Sequence, residues 1–517
     1  MRSTFMGLET AKRGMYAQQG AIYTTGNNIA NVNTFGYTRQ RVNFEATESF
    51  PAPSMNRPQI PGQMGTGVKE GSIQRIRDQF LDNQYRTDNN KFGYWESYAE
   101  SIKQMEEIMN EPSDYGLSKA MGQFWQALQD LSTNPENEGA RMVVLQRGKS
   151  LTETFNYLHE SLTTVKGQIG HEIDVTTKQI NSLTEQIAAV NKQISEVEPH
   201  GYLPNDLYDE RDRLIDQLSK IVDIEVSYES SGGNPSPIAE GIASIKLVSG
   251  PTLVDKSTPS KLTVEKDDNG VTSISVDGTQ ISSDMKSLVN AQGKLNGLIQ
   301  AYGYKYTDDD NNEKIAGLYP EMLDNLDKLA YTYATIFNEI HQNGYDKDGN
   351  SGEPFFDLNV TNGYQGAAGS IKVADLKPSQ IAASKIKTDA GNGENAISLG
   401  NIKDLLINGN KVTIKDKDGN DQMIDVVISD GTVQSFFEGA IGSMAVQGEQ
   451  AERLKHNSEV LLKSADTNRL SVSSVSIDEE FSNLIQFQHA YSASARMITA
   501  VDEMLDKIIN GMGHVGR

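Results

Sequence analysis

Two apolar stripes of the same period sit at opposite ends of the chain. Near the N-terminus Met1, Leu8, Met15, Ile22 and Ile29 recur every seven residues, and near the C-terminus Ile477, Leu484, Tyr491, Ile498 and Leu505 do the same. A seven-residue repeat keeps one face of a helix turned toward a partner, so each end reads as a coiled-coil segment and the pairing joins the two ends. The C-terminal stripe has a companion line, Phe481, Gln488, Ala495, Asp502 and Ile509, that alternates with it at steps of three and four. A helix from about Ile477 to Ile509 is roughly 50 Å long at about 1.5 Å per residue, too long to be buried by a small domain of its own. Ser476 and Glu479 open it as a capping box, in an acidic run that suits the positive end of the helix dipole.

The N-terminal stripe is weaker. Its companion line is Phe5, Lys12, Gln19 and Gly26, and Gly7, Gly14, Gly20 and Gly26 lower helix propensity, so alone this segment is expected to be poorly helical. The polar stretch from Asn27 to Gln40 favours turns and ends the helix. Pro51, Pro53, Pro58 and Pro61 then argue for an extended linker or wrapping arm to about Gly67.

From about Gln79 to Val197 the pattern is helical, clearest in Ile173, Thr176, Ile180, Leu183, Ile187, Val190, Ile194 and Val197. Pro199, Gly201 and Pro204 stop it. Asn205 is placed to cap a second helix bearing Leu207, Leu214, Leu218 and Ile221, which predicts an antiparallel helical hairpin. Residues 223–285 switch to short β-type runs, with a turn at Asp268-Asn269-Gly270 between Leu262-Thr263-Val264 and Val271 to Val276. Helix returns from Glu321 to Gln342, where Met322, Leu326, Leu329, Tyr333, Ile336 and Phe337 line one face. A second β region, 364–430, carries a hairpin signal from Val412-Thr413-Ile414 through Asp418-Gly419 to Met423-Ile424. Helix resumes near Ser435, with a break expected around Thr467.

The expected fold class is therefore multidomain and mainly α with β insertions. Residues 1–67 and 470–517 form the paired terminal region. Residues 68–222, 286–363 and 431–469 form a helical-bundle rod, and 223–285 and 364–430 form outer β-rich domains.

Charge narrows the partners. A formal −23 over 517 residues repels nucleic-acid phosphates and anionic membranes. The local exception is Arg2, Lys12, Arg13, Arg39 and Arg41, faced only by Glu9 in the first 41 residues. No apolar run is long enough to span a bilayer, and Met1 to Gly20 lacks the apolar stretch of a secretory signal. With no cysteine there is no disulfide framework, thiol nucleophile or thiolate metal site.

The search for chemistry returns little. There is no phosphate-binding glycine loop, and none of the seven histidines stands at a zinc-ligand spacing from another. Asp346, Asp348, Asn350 and Asp357 resemble a calcium loop, but Ser351 stands where that loop needs glycine and the last ligand is Asp, so a solvated turn is the better reading. Asp478, Glu479 and Glu480 offer paired carboxylates of the glycosidase kind, and the capping box explains them more simply. His489, beside the seam, reads as a surface or packing residue. No catalytic, metal or cofactor-binding residue is expected, and no cofactor.

The segment Asn27-Asn28-Ile29-Ala30-Asn31-Val32-Asn33-Thr34, continuing through Gly36-Tyr37-Thr38-Arg39-Gln40, resembles the signature of bacterial flagellar rod, hook and hook-associated proteins. Downstream blocks extend the likeness to the hook-associated members. They are Arg77 to Leu81, Gly116-Leu117-Ser118, Asn134-Pro135-Glu136, Asn205-Asp206-Leu207 with Arg211-Asp212, Phe337-Asn338 with His341 to Gly344, and Asp478 to Glu480 with Asn483-Leu484, Gln488 and Ala490-Tyr491. Ser474 stands where this family usually has glycine.

The resemblance implies terminal helices paired around a central channel, a helical rod outside them and β domains facing outward. It implies a structural protein in a ring of identical subunits at the hook–filament junction, outside the cell. Its implied partners are the hook protein, a second hook–filament junction protein and a cytoplasmic export chaperone over the C-terminal region. Export through the flagellar type III apparatus places it briefly in the cytoplasm. The residues expected to carry assembly are Leu8, Met15, Ile22, Ile29, Asn31, Gly36, Tyr37, Ile477, Phe481, Leu484, Gln488, Tyr491, Ala495, Ile498 and Leu505. The alternatives are another axial protein, such as the hook or the second junction protein, and an extracellular wall hydrolase or adhesin carried on the β regions.

Overall fold

The structure, a computed structural model, describes residues 5–511 apart from 52–53, 56, 59–61, 112, 114–115, 249, 282–290, 309–311 and 361–362. Met1, Arg2, Pro53 and Pro61 lie outside the described residues. The described helices are α1 (Phe5–Ala30), α2 (Gln79–Met109), α3 (Leu117–Thr133), α4 (Glu138–Val197), α5 (Asn205–Ile221), α6 (Lys294–Tyr302), α7 (Leu318–Gln342), α8 (Ala367–Ser370), α9 (Glu394–Gly400), α10 (Val433–Ser473) and α11 (Ile477–Gly511). The fold is mainly helical with sheets inserted between helices, as the periodicity implies. It divides into two compact units, one of Met1–Asn89, Ile180–Lys261 and Glu459–Arg517, the other of Asn90–Gln179 and Leu262–Ser458.

In the first unit α1 lies against α11. Between α1 and α2, β1 (Gln40–Ala46) and β2 (Val68–Arg75) form an antiparallel ribbon in register from Gln40 opposite Arg75 to Ala46 opposite Val68, with a bulge at Asn43/Phe44. The stretch read from sequence as linker thus contains a paired strand, because Pro51 and Pro58 fall in the connection and neither strand loses a backbone donor. After α4 the chain turns through Glu198 to Pro204 into α5. Asn205 is the first residue of α5 rather than its cap, and its amide instead donates to Gln40 Oε1 at 3.2 Å and Ile73 O at 3.0 Å. A four-stranded antiparallel sheet follows, of β3 (Ile224–Glu229), β4 (Ile242–Leu247), β5 (Thr252–Asp255) and β6 (Thr258–Pro259).

In the second unit β7 (Leu262–Lys266) and β8 (Val271–Val276) form the expected hairpin, closed by Asp267, whose Oδ1 accepts from the amides of Asn269 and Gly270. Strand β9 (Thr279–Gln280) turns back to pair antiparallel with the end of β8. Strand β10 (Tyr304–Thr307) joins β8 in parallel, and β11 (Glu313–Ala316) pairs with β10. The stretch 223–285 therefore supplies two sheets, one in each unit. Farther on, β12 (Phe356–Asp357) pairs with β13 (Lys372–Val373). Strands β14 (Ile407–Asn408), β15 (Lys411–Lys415), β16 (Asp421–Asp425) and β17 (Asp430–Gly431) then form a sheet that contains the second expected hairpin, with Val412 opposite Ile424.

The core of this unit is aromatic. Phe337 of α7 stands 4.9 Å from Phe355, 5.1 Å from Phe356 and 5.4 Å from Phe124 of α3, ring centre to ring centre. The amide oxygen of Asn338 accepts from the backbone N–H of Phe355 and of Phe356, and the buried His341 imidazole links Glu353 O at 2.6 Å to the Ala382 N–H at 2.9 Å. These residues, recognised in sequence only as part of a resembling block, tie two loops to α7.

Helix α10 runs unbroken through Thr467, and the interruption falls at 474–476 instead. Thr467 and Ser473 turn their hydroxyls back to the carbonyls of Lys463 and Arg469, at 2.8 and 2.9 Å, which satisfies these groups within the helix. Among the described residues no helix is long and apolar enough to cross a membrane.

Candidate assembly interface

A β-carbon at Gly7 would lie 3.8 Å from Val501 Cγ2, and one at Gly14 would lie 3.2 Å from Ser494 Oγ. Two steps of seven farther along α1, Asn28 donates to Glu480 Oε2 at 3.0 Å, two steps of seven back along α11. The helices therefore run antiparallel in one unbroken register. The fully buried residues of α1 are small or polar, Ala17, Ala21, Thr24, Thr25 and Asn28. Small side chains let two helix backbones approach closely, and the larger ones flank the line of contact. Of the glycines that weaken α1 as an isolated helix, Gly7 and Gly14 lie toward α11, whereas Gly20 faces the Glu70 side chain and Gly26 faces open space.

Leu8, Met15, Ile22 and Ile29, expected at the seam, lie one position beyond it and are half-buried, as are Leu484, Tyr491, Ala495, Ile498 and Leu505 on α11. Ile477, Phe481 and Gln488 are exposed. Further apolar side chains also face outward, among them Phe5, Tyr16 and Tyr23 on α1 and Ile485, Met497, Met504 and Ile508 on α11.

A polar clasp closes one end of the pair. Asn28 Nδ2 also donates to Gln40 O at 2.8 Å, and Asn28 Oδ1 accepts from the Gln40 N–H at 3.1 Å and from the Tyr37 hydroxyl at 2.8 Å. Arg39 binds Glu480 Oε1 through Nε at 2.8 Å and Glu479 Oε2 through Nη1 at 2.7 Å, and its N–H donates to Ser473 O at 2.9 Å. Arg39 therefore spans the interruption between α10 and α11. Glu479 and Glu480, of the acidic run read as part of a capping box rather than as catalytic carboxylates, are both held by this arginine. Asn31 closes the turn after α1, donating to Asn27 O and accepting from Thr34 Oγ1. Gly36 takes φ +84°, a left-handed conformation suited to glycine, and faces the Arg213 side chain. Burial and the nearby Asp209 carboxylate push the Tyr37 phenol well up.

Beneath the clasp lies a buried ion network. Asp209, Asp212 and Asp216 follow at steps of three and four along α5. Arg75 binds Asp209, Asp212 and Glu240, while Arg77 binds Asp82 and Asp212. Arg86 binds Asp212 and Asp216, and Arg469 of α10 binds Asp216 and stacks 3.7 Å over the Tyr85 ring. Burial alone raises the Asp212 carboxyl, and Arg77, Arg75, Arg211 and Arg86 more than reverse it, holding it well below the usual carboxylate range. Asp209 Oδ2 accepts the Thr38 N–H at 3.0 Å, which ties the network to the segment holding Arg39. A cleft of about 210 Å³ opens beside it, lined by Gln74, Asn205, Tyr228 and Glu240 among others.

Sequence reading named Arg77, Arg211 and Asp212 as parts of resembling blocks, without a role, and passed over Arg75, Arg86, Asp216 and Glu240. The available signal was the run of aspartates at helical spacing on the side of α5 opposite Leu218. The Asp346 loop resolves as a turn in which the Asp346 carboxylate accepts from its own loop at Asp348 and Asn350. Among the described residues no cluster of acidic, histidine or cysteine side chains could hold a metal ion.

Three family models match successive parts of the chain. They describe the Flagella basal body rod protein at residues 8–38, the Flagellar hook-associated protein FlgK helical domain at 102–356 and the Flagellar basal body rod FlgEFG protein C-terminal at 467–511. The two rod matches fall on α1 and α11, the helices that pair. Flagellar hook-associated protein 1 of Bacillus subtilis is 46% identical over the full length of both chains. That of Salmonella typhimurium is 26% identical over 97% of this chain and 98% of its own. The structure of the flagellar hook junction protein FlgK from Burkholderia pseudomallei shares the fold, with a TM-score of 0.58 over 76% of this chain and all of its own, at 14% identity.

A chain that begins and ends in rod-type helices clasped to each other, with a helical middle between them, is a structural protein of the flagellar axis. It belongs to the flagellar hook-associated protein 1 family.

Proposed function

We propose that this protein forms a ring of identical subunits joining hook to filament, assembled through α1 and α11. The observation that carries the reading is the terminal pair, which matches rod models at both ends and leaves Phe5, Tyr23, Phe481, Ile485 and Met504 exposed. Apolar surface of that extent on a helix pair marks a contact surface. Leu8, Met15, Ile22, Ile29, Leu484, Tyr491, Ile498 and Leu505, half-buried in the single chain, become fully covered between neighbours. Residues 1–67 and 470–517 serve as the assembling ends, 68–222, 286–363 and 431–469 as a helical rod, and 223–285 and 364–430 as outer β-rich parts. The neighbours are the hook protein and a second junction protein. A cytoplasmic chaperone covers the C-terminal region before export through the flagellar type III apparatus, and the assembled ring lies outside the cell. The role is mechanical and involves no catalysis.

Replacing Leu484 or Ile498 by Asp places a charge on the contact surface. The expected result is loss of the protein from isolated hook–filament junctions, and loss of motility, with circular dichroism of the purified chain nearly unchanged. Normal incorporation of either variant refutes the reading.

A further inference from the structure

Seven asparagines of the chain are followed directly by glycine. That step is chemically weak, because glycine has no side chain to shield its amide nitrogen and the nitrogen can attack the asparagine carboxamide. The fold decides which steps are protected. Asn296 lies in α6 and Asn510 in α11, where the backbone holds the next nitrogen along the helix and away from the side chain. The Gly297 N–H donates to Gly293 O at 3.1 Å, and the Asn510 amide to Asp506 Oδ1 at 2.6 Å. The Asn343 amide is bound to Gln422 Oε1 at 3.0 Å, and Asn392 Oδ1 accepts from the N–H groups of Lys385 and Glu394 at 3.1 and 3.2 Å. Gly270, after Asn269, is buried, with the Gly303 backbone 3.0 Å from where its β-carbon would lie. Asn362 lies outside the described residues.

Asn408 differs from all of these. It ends β14 with its side chain exposed and hydrogen-bonded to none of the described residues. Gly409 opens the turn into β15 at φ +57°, with open space where a β-carbon would stand. Its N–H donates to a carboxylate, Asp430 Oδ1 of β17, at 3.2 Å. We propose that Asn408 is a site of spontaneous deamidation, with Asp430 as the base that draws the proton from the Gly409 nitrogen. That nitrogen forms a bond to Asn408 Cγ, the Cγ–Nδ2 bond breaks, and ammonia leaves with the proton. Solvent water then opens the cyclic imide at either carbonyl, giving aspartate or isoaspartate at 408. The change consumes one water and turns a neutral amide into a carboxylate. Asn408 pairs with Asp430 across one edge of β14 and with Lys411 across the other. A carboxylate at 408 sets like charges opposite each other in the β14–β17 pair and weakens it. Isoaspartate also lengthens the backbone beside Ile407, which is fully buried. This edge of the sheet therefore loosens with the age of the chain, a property separate from the assembly reading above.

The test follows the unaltered full-length chain at neutral pH over weeks. Samples are digested under mildly acidic conditions, and each asparagine–glycine peptide is read by mass spectrometry. The expected result is acid at position 408, part of it isoaspartate by enzymatic methyl labelling, while peptides carrying Asn269, Asn296, Asn343, Asn392 and Asn510 remain amides. In urea these steps should all convert, since the fold no longer selects among them. Asp430→Asn keeps an acceptor oxygen for the Gly409 N–H and removes the base, so conversion at 408 should slow several-fold with circular dichroism unchanged. An amide persisting at 408 in the folded chain, over a period in which it converts in urea, overturns the proposal. So does conversion of the other steps at the same rate as 408 in the folded chain, or an unchanged rate in folded Asp430→Asn.

Discussion

Asn28 and Glu480 are 452 residues apart in the chain and share a 3.0 Å hydrogen bond inside the terminal helix pair. Glu480 is almost fully buried and also holds Arg39, so its carboxylate joins α1, the segment after α1 and the start of α11 at one point. Glu480→Ala leaves Asn28 short of a partner and Arg39 with Glu479 alone. The expected cost is about 2–3 kcal/mol in this part of the molecule. Amide hydrogen exchange should show α1 and the first turns of α11 losing protection together while α7 keeps its own.

Asp212 is shared among arginines, and the network tolerates its loss poorly. Asp212→Ala leaves Arg75, Arg77 and Arg86 each short of a buried counter-charge, at a cost of about 3–5 kcal/mol. Chemical denaturation should report a lowered midpoint, with Asp212→Ala close to wild type only if water reaches those guanidinium groups.

The buried His341 imidazole makes the second unit sensitive to acid. Burial pushes its pKa down from 6.5 to about 4, while an unfolded chain keeps the ordinary value. The unfolded state binds the proton first, so this contribution is complete above about pH 6.5, falls as pH drops, and is gone below pH 4. The shift corresponds to roughly 3 kcal/mol. His341→Gln should flatten the stability profile between pH 6.5 and 4, even where it lowers stability at neutral pH.

Gly148 faces the aromatic core. A β-carbon there would stand 2.9 Å from Phe355 Cε1 and 3.3 Å from Phe124 Cε2, both on rings packed from every side. Gly148→Ala should therefore cost about 1–3 kcal/mol through overpacking, despite the better helix propensity of alanine. A raised melting temperature would show that the cluster yields more readily than its packing implies.

Helices and hairpins were legible because their signals are local. The three-and-four spacing of α4 and α7, and the turns at Asp267 to Gly270 and Asp416 to Asn420, depend on neighbours in sequence. The line of contact between α1 and α11 was displaced by one position, because large apolar residues mark a stripe while close approach selects the small ones beside it. Asn205 has the right chemistry for a cap, and its pull toward Gln40 and Ile73 came from strands that the prolines had hidden. The ion network was invisible for a related reason. Apart from Arg211, its arginines come from β2, the connection after it, α2 and α10, and nothing near Asp212 in sequence announces them.

The register of the terminal pair also orders events in time. Synthesis proceeds from α1 toward α11, so Gly14 and Asn28 wait for Ser494 and Glu480 through the making of most of the polypeptide. A product that stops short of Glu480 has no means of closing the clasp, however well its middle has folded. Completeness is thereby written into the shape of the first helix, and an unfinished copy arrives with that helix bare.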